Sequence, residues 1–213
     1  MQSGAPSTPD PTPATAPGEL MRLVADGLTQ KGFPTQLPAY SGSRRLTIAA
    51  PAARCTLSVE DSGGVCWDWQ PPAGQALDPR HLADLASLLL TGQPSTQPSA
   101  IDPGHLSRFT LKGAVGHELA ARGLRARMEI CTDHESFDVD AVMVATVPGG
   151  CAEVRVTDDG SLSWEHDYWI EAARATGAPD FAAAILDPRE LAASIVATVA
   201  QALAVACREP GAS

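Results

Sequence analysis

The sequence predicts an α+β protein made of a tandemly duplicated α-β-β-β-α unit. Each copy is expected to be a three-stranded antiparallel meander with two helices on one face, and the pair to form a pseudo-dimer within one chain. Three observations predict it. Short motifs recur in the same order in two parts of the chain. Apolar residues switch between helical spacing and strict alternation. Pro/Ser/Thr-rich stretches separate two bodies of similar plan.

Residues 1–17 are Ser, Thr, Pro, Ala and Gly with little that is apolar, so they read as a disordered tail. The first unit spans 18–90. It opens with Leu20, Leu23, Val24 and Leu28, one apolar stripe of an amphipathic helix. Gly32 follows where a left-handed cap is wanted. Alternation at Arg45-Leu46-Thr47-Ile48 predicts a strand. Thr56 to Val59 and Val65 to Trp69 flank Asp61-Ser62-Gly63-Gly64, a hairpin turn signal. Asp78-Pro79 then supplies an N-cap acid and a first-turn proline for the closing helix. Residues 91–104 are rich in Pro, Ser, Thr and Gly and read as a linker.

The second unit, 105–208, repeats these signals. LKGAVGHELAARGL (111–124) matches LMRLVADGLTQKGF (20–33). VTDDGSLSWE (156–165) matches VEDSGGVCWD (59–68), and LDPRELAASIVAT (186–198) matches LDPRHLADLASLL (77–89). The second copy carries an insertion at about 166–181. Trp67 and Trp164 fall at equivalent strand positions. By alternation, Val65, Trp67 and Trp69 share one face, as do Leu162, Trp164 and His166, and a large aromatic on the helix-covered face is core. The two copies either pack together or extend one sheet edge to edge. The order α-β-β-β-α is similar, in topology alone, to double-stranded-RNA-binding domains and to the core of type III secretion chaperone-like folds.

Composition narrows function. Asp and Glu outnumber Lys and Arg 25 to 15, and the net charge is -10. Nucleic acid and anionic membranes favour the opposite sign, and the apolar stretch Ile195–Ala206 is shorter than the roughly 20 residues of a membrane span. Five cysteines with no closely spaced pair, and a start without a basic, apolar leader, place the chain in the cytoplasm with reduced thiols.

No catalytic residue, metal site or cofactor is assigned from the sequence. The densest set of potential metal ligands is Cys131, Asp133, His134, Glu135, Asp138 and Asp140, which His166 and Asp167 would join if their strands were adjacent. It matches no known motif, and a solvated loop is the simpler reading. The insertion is the most informative feature. Tyr168, Trp169, Ile170 and Phe181 are bulky groups absent from the first copy, and such residues dominate protein interfaces. The expectation is a non-enzymatic protein-binding module, an adaptor, chaperone-like protein or regulator whose partner is another protein. The alternative is a small-ligand- or metal-binding protein, or an enzyme, with a cleft between the repeats.

Overall fold

The computed structural model describes residues 18–37, 45–50, 53–60, 63–93, 101–132, 139–177 and 187–207. The N-terminal half contains α1 (Glu19–Gln30), β1 (Thr35–Gln36), β2 (Arg45–Ala50), β3 (Ala53–Val59), β4 (Gly64–Gln70) and α2 (Pro79–Thr91). A four-residue turn of helix, α3 (Pro103–Leu106), precedes the C-terminal half. That half contains α4 (Leu111–Ala121), β5 (Arg125–Thr132), β6 (Val139–Thr146), β7 (Ala152–Val156), β8 (Leu162–Asp167), α5 (Tyr168–Thr176) and α6 (Pro188–Ala206).

Local chemistry accounts for the element ends. At the end of α1, Gly32 takes φ +90°, and the Phe33 N–H donates to Leu28 O at 3.0 Å. At the end of α4, Gly123 takes φ +80°, and the Leu124 N–H donates to Leu119 O at 3.0 Å. Both satisfy carbonyls that the helix end would otherwise orphan. The Asp78 carboxylate accepts from the Arg80 N–H at 3.0 Å and that of Asp187 from the Arg189 N–H at 2.8 Å, so both acids cap their helices. The hairpin turns agree as well. The N–H of Glu60 donates to Gly64 O and that of Gly63 to Glu60 O, and Thr157, Ser161 and Gly160 repeat both bonds.

The strands form one eight-stranded antiparallel sheet in the order β1-β2-β3-β4-β8-β7-β6-β5. The halves join edge to edge at β4 and β8, where Trp67 lies directly opposite Trp164. Both indoles are fully buried. Burying a tryptophan contributes on the order of 4 kcal/mol, so the seam is a strong part of the core. Strand alternation places Leu46, Ile48, Cys55, Leu57, Val65, Trp69, Val154 and Leu162 on the same buried face. The other face is polar. At its centre the Asp68 carboxylate accepts from Ser163 Oγ at 2.9 Å, Arg45 at 3.3 Å and Thr56 Oγ1 at 3.4 Å, which ties the four strands β2, β3, β4 and β8 together across the seam.

The long helices interleave the halves. Helix α1 packs on α6, α6 on α2, and α2 on α4, while α2 also lies over β7 and β8 of the opposite half. The helix layer therefore alternates between halves, and neither half covers its own strands unaided. Gly27 of α1 lets α6 approach closely, since a Cβ there would meet Val196 Cγ2 at 2.7 Å. Between α2 and α4, the fully buried Glu118 carboxylate receives Arg80 at 3.3 Å, and Arg122 bridges it to Asp84 at 2.7 Å. Helix α6 is long and apolar enough to cross a membrane by length and composition, and half of that stretch is buried inside this fold.

The architecture departs from expectation in three ways. Each half has four strands rather than three, because Thr35–Gln36 and Arg125–Thr132 also pair. The helices are shared between halves instead of each pair covering its own meander. Part of the expected linker forms α3. The tail 1–17 and residues 94–100 of that linker lie outside the described residues.

Candidate functional site: a cleft between the halves

Strand β8 runs into α5 without a loop, and this junction builds the site. Trp164 points into the core, and His166, two residues on, lies on the same face. The Asp167 N–H donates to Cys151 O at 2.8 Å, and the Tyr168 N–H to Gly63 O at 3.2 Å, so the chain turns under β4 and β7. The Tyr168 ring stacks on His166 with centroids 4.1 Å apart, and His166 meets Trp164 edge-on at 5.5 Å. His166 Nε2 lies 3.1 Å from a Glu171 carboxylate oxygen, one turn into α5. At the far end of α5, Arg174 donates to Gly149 O. Only glycine fits at that turn: its φ is +105°, and a Cβ would strike the guanidinium.

These contacts wall a cleft of about 730 Å³. Leu89 and Leu90 come from α2 of the N-terminal half. Trp164, His166, Tyr168, Glu171 and Ala175 come from β8 and α5, and Glu190, Leu191, Ser194 and Thr198 from α6. Asp187 and Cys151 complete the rim. The lining carries three carboxylates, Glu171, Asp187 and Glu190, and neither lysine nor arginine among the described residues. Burial pushes the His166 imidazole below its ordinary value, against the pull of Glu171, so the ring is neutral near neutral pH. Burial pushes the Tyr168 phenol up to about 12, and its hydroxyl bonds to Thr198. The Trp164 indole Nε1 and His166 Nδ1 are buried without a hydrogen-bond partner among the described residues. Such groups cost about 1–3 kcal/mol each when unmet. The cleft is thus apolar and aromatic at its base and negative at its rim, which suits a cationic or amine-bearing group.

Tyr168, Trp169 and Ile170 open α5 and are all half-buried, and Tyr168 alone of the three lines the cleft. Phe181 lies outside the described residues. Glu171, Asp187 and Glu190, which give the site its charge, were not marked as a group by the sequence. They converge only because the fold brings α5 and the start of α6 to the same cleft.

Asp133, His134, Glu135 and Asp138 lie outside the described residues. Cys131 and Asp140 are backbone partners across β5 and β6. His166 and Asp167 are not on an adjacent strand, since β7 and β6 stand between β8 and β5. Among the described residues no group of three His, Cys, Asp or Glu is placed to hold a metal ion. Four thiols are described, those of Cys55, Cys66, Cys151 and Cys207, and none is in a disulfide. Cys55 is buried and its thiol is pushed up to about 12, although Trp67 Nε1 donates to its sulfur at 2.7 Å. A thiol held protonated in this way is a poor nucleophile.

No protein-family model matches the chain, and no curated protein or solved structure is significantly similar to it. The class defined by fold and site is therefore a descriptive one. It is an α+β protein with a single antiparallel sheet, one face under a shared helix layer, and an acidic cleft where the halves meet.

Proposed function

We propose that the protein is a non-catalytic protein-binding module, and that the cleft beside α5 holds a basic segment of its partner. The observation that carries this reading is the lining. Three carboxylates and no lysine or arginine surround an aromatic base on a chain of net charge -10. A lysine or arginine side chain entering there meets Glu171 and Glu190 at the rim and the half-buried Tyr168 ring below, and both contacts favour a cation. Tyr168 belongs to the cleft, and Trp169 and Ile170, half-buried beside it at the start of α5, are retained as partner contacts on their sequence position. Phe181 is retained as a partner contact on its sequence position alone.

We also infer that the halves are copies of one unit. Their matched glycine caps, hairpin turns and Asp-Pro helix starts, and the Trp67–Trp164 pairing at the seam, support that origin. A cytoplasmic location is part of the same reading, supported by the free thiols.

The test is an array of 15-residue peptides probed with the full chain. Binders enriched in Lys or Arg, losing about tenfold or more in affinity to a Glu171→Lys/Glu190→Lys variant, are the expected result. Binders indifferent to that variant would refute the cleft as the site. A second reading is favoured by the unmet His166 Nδ1, which accepts a hydrogen bond when Nε2–H donates to Glu171: the cleft takes a small amine rather than a peptide. Native mass spectrometry separates the two, because a small bound amine adds a few hundred daltons at most to the bare chain.

A further inference from the structure

The ends of the sheet differ in what they leave open. Strand β1 is two residues long, and its Thr35 side chain is bonded to Ala25 O of α1 at 3.2 Å. Strand β5 is eight residues long, and among the described residues no strand pairs with its outer side. Its helix-side residues Met128 and Ile130 are 50% and 74% exposed, and Ile130 is the most exposed large apolar residue of the described chain. A long, free, apolar edge is the feature folded proteins avoid unless something covers it.

The charge order on β5 says what covers it. Arg127 and Glu129 flank Met128 on the open face of the sheet, where within one chain the guanidinium pairs with Glu129 at 2.5 Å and reaches Glu153 at 3.9 Å. If a second β5 pairs antiparallel about a twofold axis through Met128, each Arg127 falls opposite the other copy's Glu129. Met128 then meets its own copy, and Ile130 falls opposite Ala126. An axis through Arg127 or Glu129 would instead set like charges directly opposite, which is destabilising. Only the Met128 register joins both charges and clusters the exposed Met128 and Ile130 side chains. Because β1 offers no comparable edge, the pairing closes at two copies rather than growing into a fibre.

From this we infer that two copies of the chain dimerise through β5, with the twofold axis at Met128, forming one continuous sheet. The inference is independent of the cleft.

Sedimentation equilibrium on the full chain tests it. Wild type is expected to be a dimer, and Ile130→Lys a monomer with an unchanged circular dichroism spectrum, since in the single chain that side chain stands in solvent and supports no internal packing. Arg127→Glu alone sets Glu against Glu twice and weakens the dimer about tenfold. The double exchange Arg127→Glu/Glu129→Arg restores opposite charges and recovers most of the loss. A wild-type chain that is monomeric up to ~100 µM overturns the proposal, as does a dimer indifferent to Ile130→Lys. Failure of the double exchange to rescue the single one overturns the register.

Discussion

The two halves differ in how their last strand reaches its helix and in how long their outer strand is. Strand β4 ends at Gln70 and leads through a short loop to α2, which lies over the other half's strands. Strand β8, its partner at the seam, passes directly into α5 and only later reaches α6. The outer strand of the N-terminal half is the two-residue β1, and that of the C-terminal half is the eight-residue β5. The bare edge therefore belongs to the C-terminal half, and the acidic cleft takes all its carboxylates from that half although α2 of the N-terminal half forms one wall. The halves share caps and turns that keep a sheet and its helices in register, and they differ where a partner could be met. This is the pattern expected when a common scaffold carries function in segments grafted onto it.

The largest test of this comparison concerns what the halves hold in common. Trp67→Ala and Trp164→Ala should each cost about 3–5 kcal/mol, and the whole chain should unfold in one transition because the helix layer is shared. Trp169→Ala, at a half-buried position, should cost clearly less. Urea denaturation followed by circular dichroism checks all three. Two separate transitions in a seam variant would break the picture of a shared core.

A second test separates the helix seams. Gly27→Ala gains about 1 kcal/mol of helix propensity, but its Cβ would press on the stiff Val196 of α6. Net destabilisation by about 1 kcal/mol is expected. Gly116→Ala in α4 meets Met143 Cγ at 3.3 Å, a side chain that can yield, and Ala126 Cβ at an ordinary 3.9 Å, so the propensity gain should prevail there. Opposite signs in the two thermal midpoints sharpen the comparison, and equal signs would break it.

The smallest effect is the pH response of the α5 junction. The folded state lowers the His166 value below its ordinary 6.5 through burial. The unfolded chain therefore binds the proton more readily, and stability is lost as pH falls through 6.5. His166→Asn should flatten the stability profile between about pH 7 and pH 5. A profile unchanged by that substitution would mean that the ring contributes nothing to the junction.

Much of the fold was legible because its signals are local. The alternation around Trp67 and Trp164, the caps at Asp78 and Asp187 and the turn glycines Gly63 and Gly160 each depend on a few neighbouring residues. Strand β5 was missed although Ala126, Met128 and Ile130 alternate with Arg125, Arg127 and Glu129. Arg, Ala and Glu are weak strand formers, and this strand is held by pairing on one side only. A cleft between the halves was expected only as an alternative and without its lining, because the lining arises from the β4–β8 junction and the interleaved helices, both long-range consequences of the strand order. Tyr168 stood out by its size, whereas Glu171, Asp187 and Glu190 are separated in sequence and meet only in the fold.

The most direct measurement is native mass spectrometry of the chain isolated gently from its own host, beside the Glu171→Lys/Glu190→Lys variant. A partner protein at fixed stoichiometry on the wild type, absent from the variant, is the predicted result. A partner held equally by both chains, or a wild type that carries none, would contradict the cleft as a protein-binding site.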